Sequence, residues 1–160
     1  MKEETRNTEG LAAIISNGSL LFTDDYTEIA GDVNSTKELT FEGDVKIIGN
    51  VIADTIIVEG SAEITGTVEA NVMEAGGEIT IGGTAIVGDI CAENIYVGGN
   101  LESSVEVETG LLIVGENLKA FVVSLGKDEE DDSEDKLLFV EGVPEINEAL
   151  YINGEEVKNL

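Results

Sequence analysis

The chain has no histidine and no tryptophan, and only one cysteine, one proline and one arginine among its 160 residues. A catalytic cysteine or serine needs a nearby base, and without histidine the commonest one is missing. Cys91 has no second cysteine to pair with, so no internal disulfide forms, which fits a reducing compartment. Aromatic residues make up 4% of the chain, so any core is built from aliphatics instead of large rings. No apolar run reaches the roughly 18 residues of a membrane-crossing helix. The opening stretch Met1 to Gly10 is polar and lacks the basic start and apolar block of a signal peptide, so a cytoplasmic protein is expected.

Positive charge is scarce as well. Eight basic side chains stand against 34 acidic ones, for a formal charge of −26. Long-range electrostatics therefore oppose nucleic acid and anionic membrane surfaces, and neither is expected as a partner. Glu59, Glu63, Glu69, Glu74, Glu93, Glu102, Glu106 and Glu108 alternate with apolar neighbours and belong to a solvated exterior. No calcium-loop spacing and no phosphate-cradling Gly-x-x-x-x-Gly-Lys occurs, so neither a metal nor a cofactor is expected. The pairs Gly76-Gly77, Gly82-Gly83 and Gly98-Gly99 read as corners of the chain.

What the chain has in abundance is repetition. Gly31-Asp-Val33-Asn-Ser35, Gly49-Asn-Val51-Ile-Ala53, Gly66-Thr-Val68-Glu-Ala70 and Gly88-Asp-Ile90-Cys-Ala92 share one pattern. From Gly31 to Gly49 is 18 residues, from Gly49 to Gly66 is 17, and from Gly66 to Gly88 is 22. Units this short cannot bury an apolar face alone and must stack. A second phrase follows, as in Leu39-Thr-Phe41, Ile56-Ile-Val58, Ile79-Thr-Ile81 and Ile95-Tyr-Val97, and then a third, as in Val45-Lys-Ile47 and Ala62-Glu-Ile64. Three short alternating phrases per unit predict an all-β, single-stranded parallel β-helix with three faces and about 17–22 residues per coil. Period-two geometry predicts two internal ladders. One contains Val33, Val51, Val68 and Ile90, and the narrower one Ser35, Ala53, Ala70 and Ala92. The stretched third spacing predicts an extra turn near Ala75-Gly76-Gly77. By the same alternation Cys91 points outward.

The ends read differently. Asn17-Gly18 lies between Ala12–Ser16 and Ser19–Phe22, and Asn153-Gly154 between Leu150–Ile152 and Glu155–Val157; each predicts a hairpin, suited to capping an end coil. The expected organisation is a flexible tail (1–10), a β-helix with an amino-terminal hairpin (11–125), an acidic mobile loop (126–135) and a carboxyl-terminal β cap (136–160).

Alternating Gly-x-Val-x-Ala and Ile-x-Val-x-Gly phrases, as in Gly49 to Gly60 and Gly66 to Gly83, resemble the bactofilins, bacterial polymer-forming cytoskeletal proteins, over roughly residues 29 to 123. The resemblance implies a right-handed, three-faced β-helix that joins end to end into nucleotide-independent filaments and scaffolds other proteins. Left-handed β-helix acyltransferases use strict hexapeptides and a histidine, neither of which is present, and no enzymatic activity is expected. The alternative is a capped, discrete β-helix serving as an acidic adaptor for a basic protein. If the chain polymerises, the candidate contacts are apolar residues of the outermost predicted coils: Leu118, Ala120, Phe121 and Val123 at one end, Leu20, Phe22 and Ile29 at the other.

Overall fold

The computed structural model describes residues 14–126, 137–152 and 155–157, which hold strands and no helix. The expected tail (1–10), residues 127–135 of the expected acidic loop and the Asn153-Gly154 turn lie outside the described residues. The strands wind as a parallel β-solenoid of about seven turns. The first winding holds β1 (Ile14–Ser16), β2 (Leu20–Phe22) and β3 (Tyr26–Ala30), and the second β4 (Val33–Ser35), β5 (Glu38–Phe41) and β6 (Asp44–Ile48). The third holds β7 (Val51–Ile52), β8 (Thr55–Val58) and β9 (Ala62–Ile64). From there the first two faces share one long strand: β10 (Val68–Ala75) with β11 (Glu78–Ile81), β12 (Ala85–Cys91) with β13 (Asn94–Val97), and β14 (Leu101–Thr109) with β15 (Leu111–Val114). The last windings are β16 (Leu118–Leu125) with β17 (Leu137–Val140), then β18 (Pro144–Ile152) and the short β19 (Glu155–Glu156). The first two faces form a 12-stranded sheet, and the third face is a 7-stranded sheet running from β3 to β17.

Alternation makes these strands. In β11, Ile79 and Ile81 are buried while Glu78 and Thr80 face out, and every third-face strand from β3 to β15 repeats the scheme. Each buried aliphatic contributes about 1.5–3 kcal/mol relative to exposure, and adjacent windings share one continuous core. Near the amino end Phe22 and Phe41 stack with centroids 4.7 Å apart and planes 12° from parallel.

The internal columns correct half of the predicted ladders. Val33, Val51 and Val68 do stand opposite one another, but the column continues through Ala85, Leu101 and Leu118. Ile90 lies on the second face, in the column Leu20, Leu39, Ile56, Met73, Ile90, Val107, Val123, Leu150. Ala92 goes with it, whereas Ala70 faces Val87, then Ser103 and Ala120. The cause is that Val72 to Ala75 is itself a second-face phrase, so the 22-residue spacing joins two different faces. The Gly76-Gly77 corner follows Glu59-Gly60 in register, through Gly77 N–H to Gly60 O at 3.0 Å, and contains no extra turn. Windings repeat every 16 to 19 residues, except for the last, at 26 to 27.

The small column does border a corner, as its narrowness implied. Its buried hydroxyls donate there, Ser35 Oγ to Gly18 O at 3.2 Å and Ser103 Oγ to Gly88 O at 2.8 Å, which removes the cost of burying them.

The amino-terminal end departs from the hairpin expectation, whereas at the carboxyl end Leu150–Ile152 and Glu155–Val157 pair back as expected. β1 and β2 do not pair with each other; they run parallel to β4 and β5 as the first winding, because their apolar residues complete columns that the second winding leaves open. At the other end β17 and β18 continue the solenoid in parallel on β15 and β16. Among the described strands only β19 folds back antiparallel, with Tyr151 opposite Glu156 and Ile152 opposite Glu155.

Candidate functional site: the corners, the ends and the outer walls

Between the third and first faces, successive windings turn through Asp32, Asn50, Thr67, Thr84, Asn100, Asn117 and Val143. At five of these six steps the side chain of one winding accepts the backbone N–H of the next. Asp32 Oδ1 takes Asn50 N–H at 2.8 Å, Asn50 Oδ1 takes Thr67 at 2.8 Å and Thr84 Oγ1 takes Asn100 at 3.4 Å. Asn100 Oδ1 takes Asn117 at 3.0 Å, and Asn117 Oδ1 takes Val143 at 2.9 Å. Alongside runs a main-chain series in which the residue after each corner donates to the corner carbonyl of the following winding. Val33 to Asn50, Val51 to Thr67, Val68 to Thr84, Ala85 to Asn100, Leu101 to Asn117 and Leu118 to Val143 all lie between 2.8 and 3.0 Å.

Both series stop together. Val143 has no side-chain acceptor, and the next residue, Pro144, has no N–H to offer a further winding. On the second face β19 occupies the edge of β18 at Tyr151 and Ile152, and Val157 N–H bonds Leu150 O at 2.7 Å. The third face ends at β17, which has a strand neighbour on one side only among the described residues. At the carboxyl end the second face is thus covered at Tyr151 and Ile152, and the first face lacks one donor for a parallel continuation. Sequence reading expected the fold-back at β19 but missed the stop at Val143 and Pro144, which the sole proline following a run of Asp, Asn and Thr corner residues marks.

The predicted end contacts fare accordingly. Leu118, Ala120 and Val123 are internal, at most 1% exposed, and are covered by Pro144, Ile146 and Leu150 of β18, so they are not terminal. Phe121 lies on the corner between the first two faces, at the register shift between Ala120 and Val122, and is 44% exposed on the side wall. Leu20, Phe22 and Ile29 do belong to the first winding, but their side chains point into the core. Besides Phe121, Phe139 and Val143 are exposed apolar residues of the last windings.

The outer walls mix carboxylates with exposed apolar residues such as Ile48, Ile52, Ile86 and Val105. Second-face residues Glu74, Asp89, Cys91, Glu106 and Glu108 line a shallow trough, with Cys91 half-buried between Glu74 and Glu108 in register. Glu106 Oε1 accepts the Ser124 hydroxyl at 2.5 Å. Among the described residues no three Cys, Asp or Glu side chains are arranged to hold a metal ion, and Lys46–Glu63, at 3.4 Å, is the one salt bridge. Tyr26 donates to Glu28 Oε2 at 3.1 Å; reduced hydration, then that bond and the carboxylate charge, raise its phenol above the ordinary value.

Fold and surface together define a parallel β-solenoid with a scaffold's geometry. The chain matches no protein-family model, no curated protein and no solved structure. Among the described residues no helix is long and apolar enough to cross a membrane.

Proposed function

We propose that this chain is a non-enzymatic structural protein, a β-solenoid scaffold that associates with copies of itself through its terminal windings in the cytoplasm, as the bactofilin resemblance implies. The observation that carries this is the uninterrupted stack of parallel windings: one column of buried side chains runs from Leu20 to Leu150 through β2, β5, β8, β10, β12, β14, β16 and β18. A winding of another copy that continues these columns would be held by the same main-chain bonds and apolar contacts. The lone, half-buried Cys91 suits a reducing compartment.

A second reading, a discrete adaptor for a basic protein, is favoured by Pro144 and β19, which oppose growth at the carboxyl end. Electron microscopy across ionic strength separates the two. With a charge of −26, assembly lengthens as salt screens repulsion beyond the Debye length of about 8 Å at 0.15 M. Pro144→Ala restores the missing N–H and lengthens assemblies further. Monodisperse single particles at every salt concentration, in both the natural chain and Pro144→Ala, would leave only the adaptor.

A further inference from the structure

One outward column runs the whole length of the third face: Glu28, Lys46, Glu63, Thr80, Tyr96, Ile113, Phe139. It changes character on the way. Its first three members are charged and its last three are aromatic or aliphatic. Beside Ile113, Leu111 also faces out, half-buried, and Phe139 is 52% exposed. Strands β13, β15 and β17 contain no charged residue at all, in a chain where 26% of residues are charged.

The island has an acidic border. Glu93 is exposed at the corner entering β13, and Glu116 and Glu141 are exposed at the corner leaving the third face, stacked through Gly142 N–H to Glu116 O at 2.7 Å. Glu78 opens the strand next to β13. An apolar centre within a polar rim is the anatomy of a protein-binding patch. The sign of the rim decides the occupant. A second copy would press one carboxylate rim against another, whereas a partner with lysines or arginines around an apolar anchor satisfies both parts.

We infer that the outer third face around Tyr96, Ile113 and Phe139 is a docking surface for a protein segment with an aromatic or aliphatic anchor flanked by basic residues. The inference gives the scaffold reading its client, and rests on it to that extent. Association of copies is read separately, by microscopy, so failure of one is distinguishable from failure of the other.

The test uses the full chain and three labelled peptides read by fluorescence anisotropy at about 0.15 M salt. One peptide has an aromatic and aliphatic centre with two lysines on each side. The second keeps the centre and carries glutamates, and the third keeps the lysines and has a serine centre. The first should bind at least about tenfold more tightly than either control. The combined Tyr96→Ser, Ile113→Ser and Phe139→Ser variant should lose that binding by a similar factor with an unchanged β spectrum. Phe139→Ser alone gives a smaller loss without risk to the core. Ile52→Ser, at an exposed site on the first face, should change nothing. Equal binding of the serine-centred peptide, binding that survives the triple variant, or a patch that the triple variant shows by sedimentation to join copies without binding the peptide would overturn the inference.

Discussion

The interior of this solenoid and its corners are held by different chemistry. Inside, Val33, Val51, Val68, Ala85, Leu101 and Leu118 succeed one another in a single column, and any of these sizes serves because neighbouring columns adjust. At the corners the choice is narrower. A Cβ on Gly98 would stand 2.5 Å from the carbonyl oxygen of Gly82 one winding below, and Asn117 must present an oxygen to Val143 N–H. Burial supplies most of the stability, while the corners fix which residue lies above which. Register matters because a one-residue slip turns an inward column outward.

The largest test falls on the interior. Ile90→Ala should cost about 2–5 kcal/mol in denaturant unfolding, and Ile90→Val about 0.5–1.5, since Ile90 is 1% exposed. Double-mutant cycles sharpen the comparison. Ile90 should couple with Met73 and Val107, its neighbours in register, whereas Ile90 and Val68 should combine additively. Coupling to Val68 instead would restore the ladder predicted from the glycine spacing and refute a register that sets Ile90 on the second face.

Next comes the tight corner. Gly98→Ala brings a methyl group against main chain, which cannot rotate away as a side chain can. The overpacking should cost about 1–3 kcal/mol. Its signature differs from that of an interior cavity: amide exchange should accelerate at Gly98 and at Gly115, whose N–H bonds Val97 O at 2.8 Å, before it does so in the aliphatic columns. Uniform acceleration through the core would mean that the corners have no separate role.

The same contrast explains how much of the fold is legible in the sequence. The solenoid, its three faces and the columns as far as Val68 can be read there, because Gly49-Asn-Val51 and Gly66-Thr-Val68 carry corner and interior signals together. Beyond Val68 the interior signal alone misleads, since apolar-x-apolar looks alike on all three faces. Followed by itself, it sets Gly88-Asp-Ile90 one face early. Thr84-Ala85 and Asn100-Leu101, each a polar corner residue before an inward aliphatic, keep the register. The amino-terminal hairpin fails for a related reason: Asn-Gly favours a tight turn locally, but β1 and β2 bury more by lying on β4 and β5. The stop at Val143 and Pro144 is legible only once the corner series is seen.

The smallest effect expected is at Asn117, and it isolates the corner from burial altogether. Asn117 is exposed, so Asn117→Ala removes almost no apolar contact, only the acceptor for Val143 N–H and the Nδ2 bond to Asn100 Oδ1 at 3.1 Å. A loss near 1 kcal/mol is expected, in the range of a net hydrogen bond. It should be local: exchange should quicken at Val143 and at Leu118, whose N–H bonds Val143 O, while the amides of the fourth and fifth windings stay protected. Asn117→Asp keeps an oxygen for Val143 and gives up the bond to Asn100, so it should retain the protection of Val143 that the alanine variant loses. If aspartate and alanine behave alike there, the side-chain series does not hold the final winding in register, and the main-chain bonds alone do.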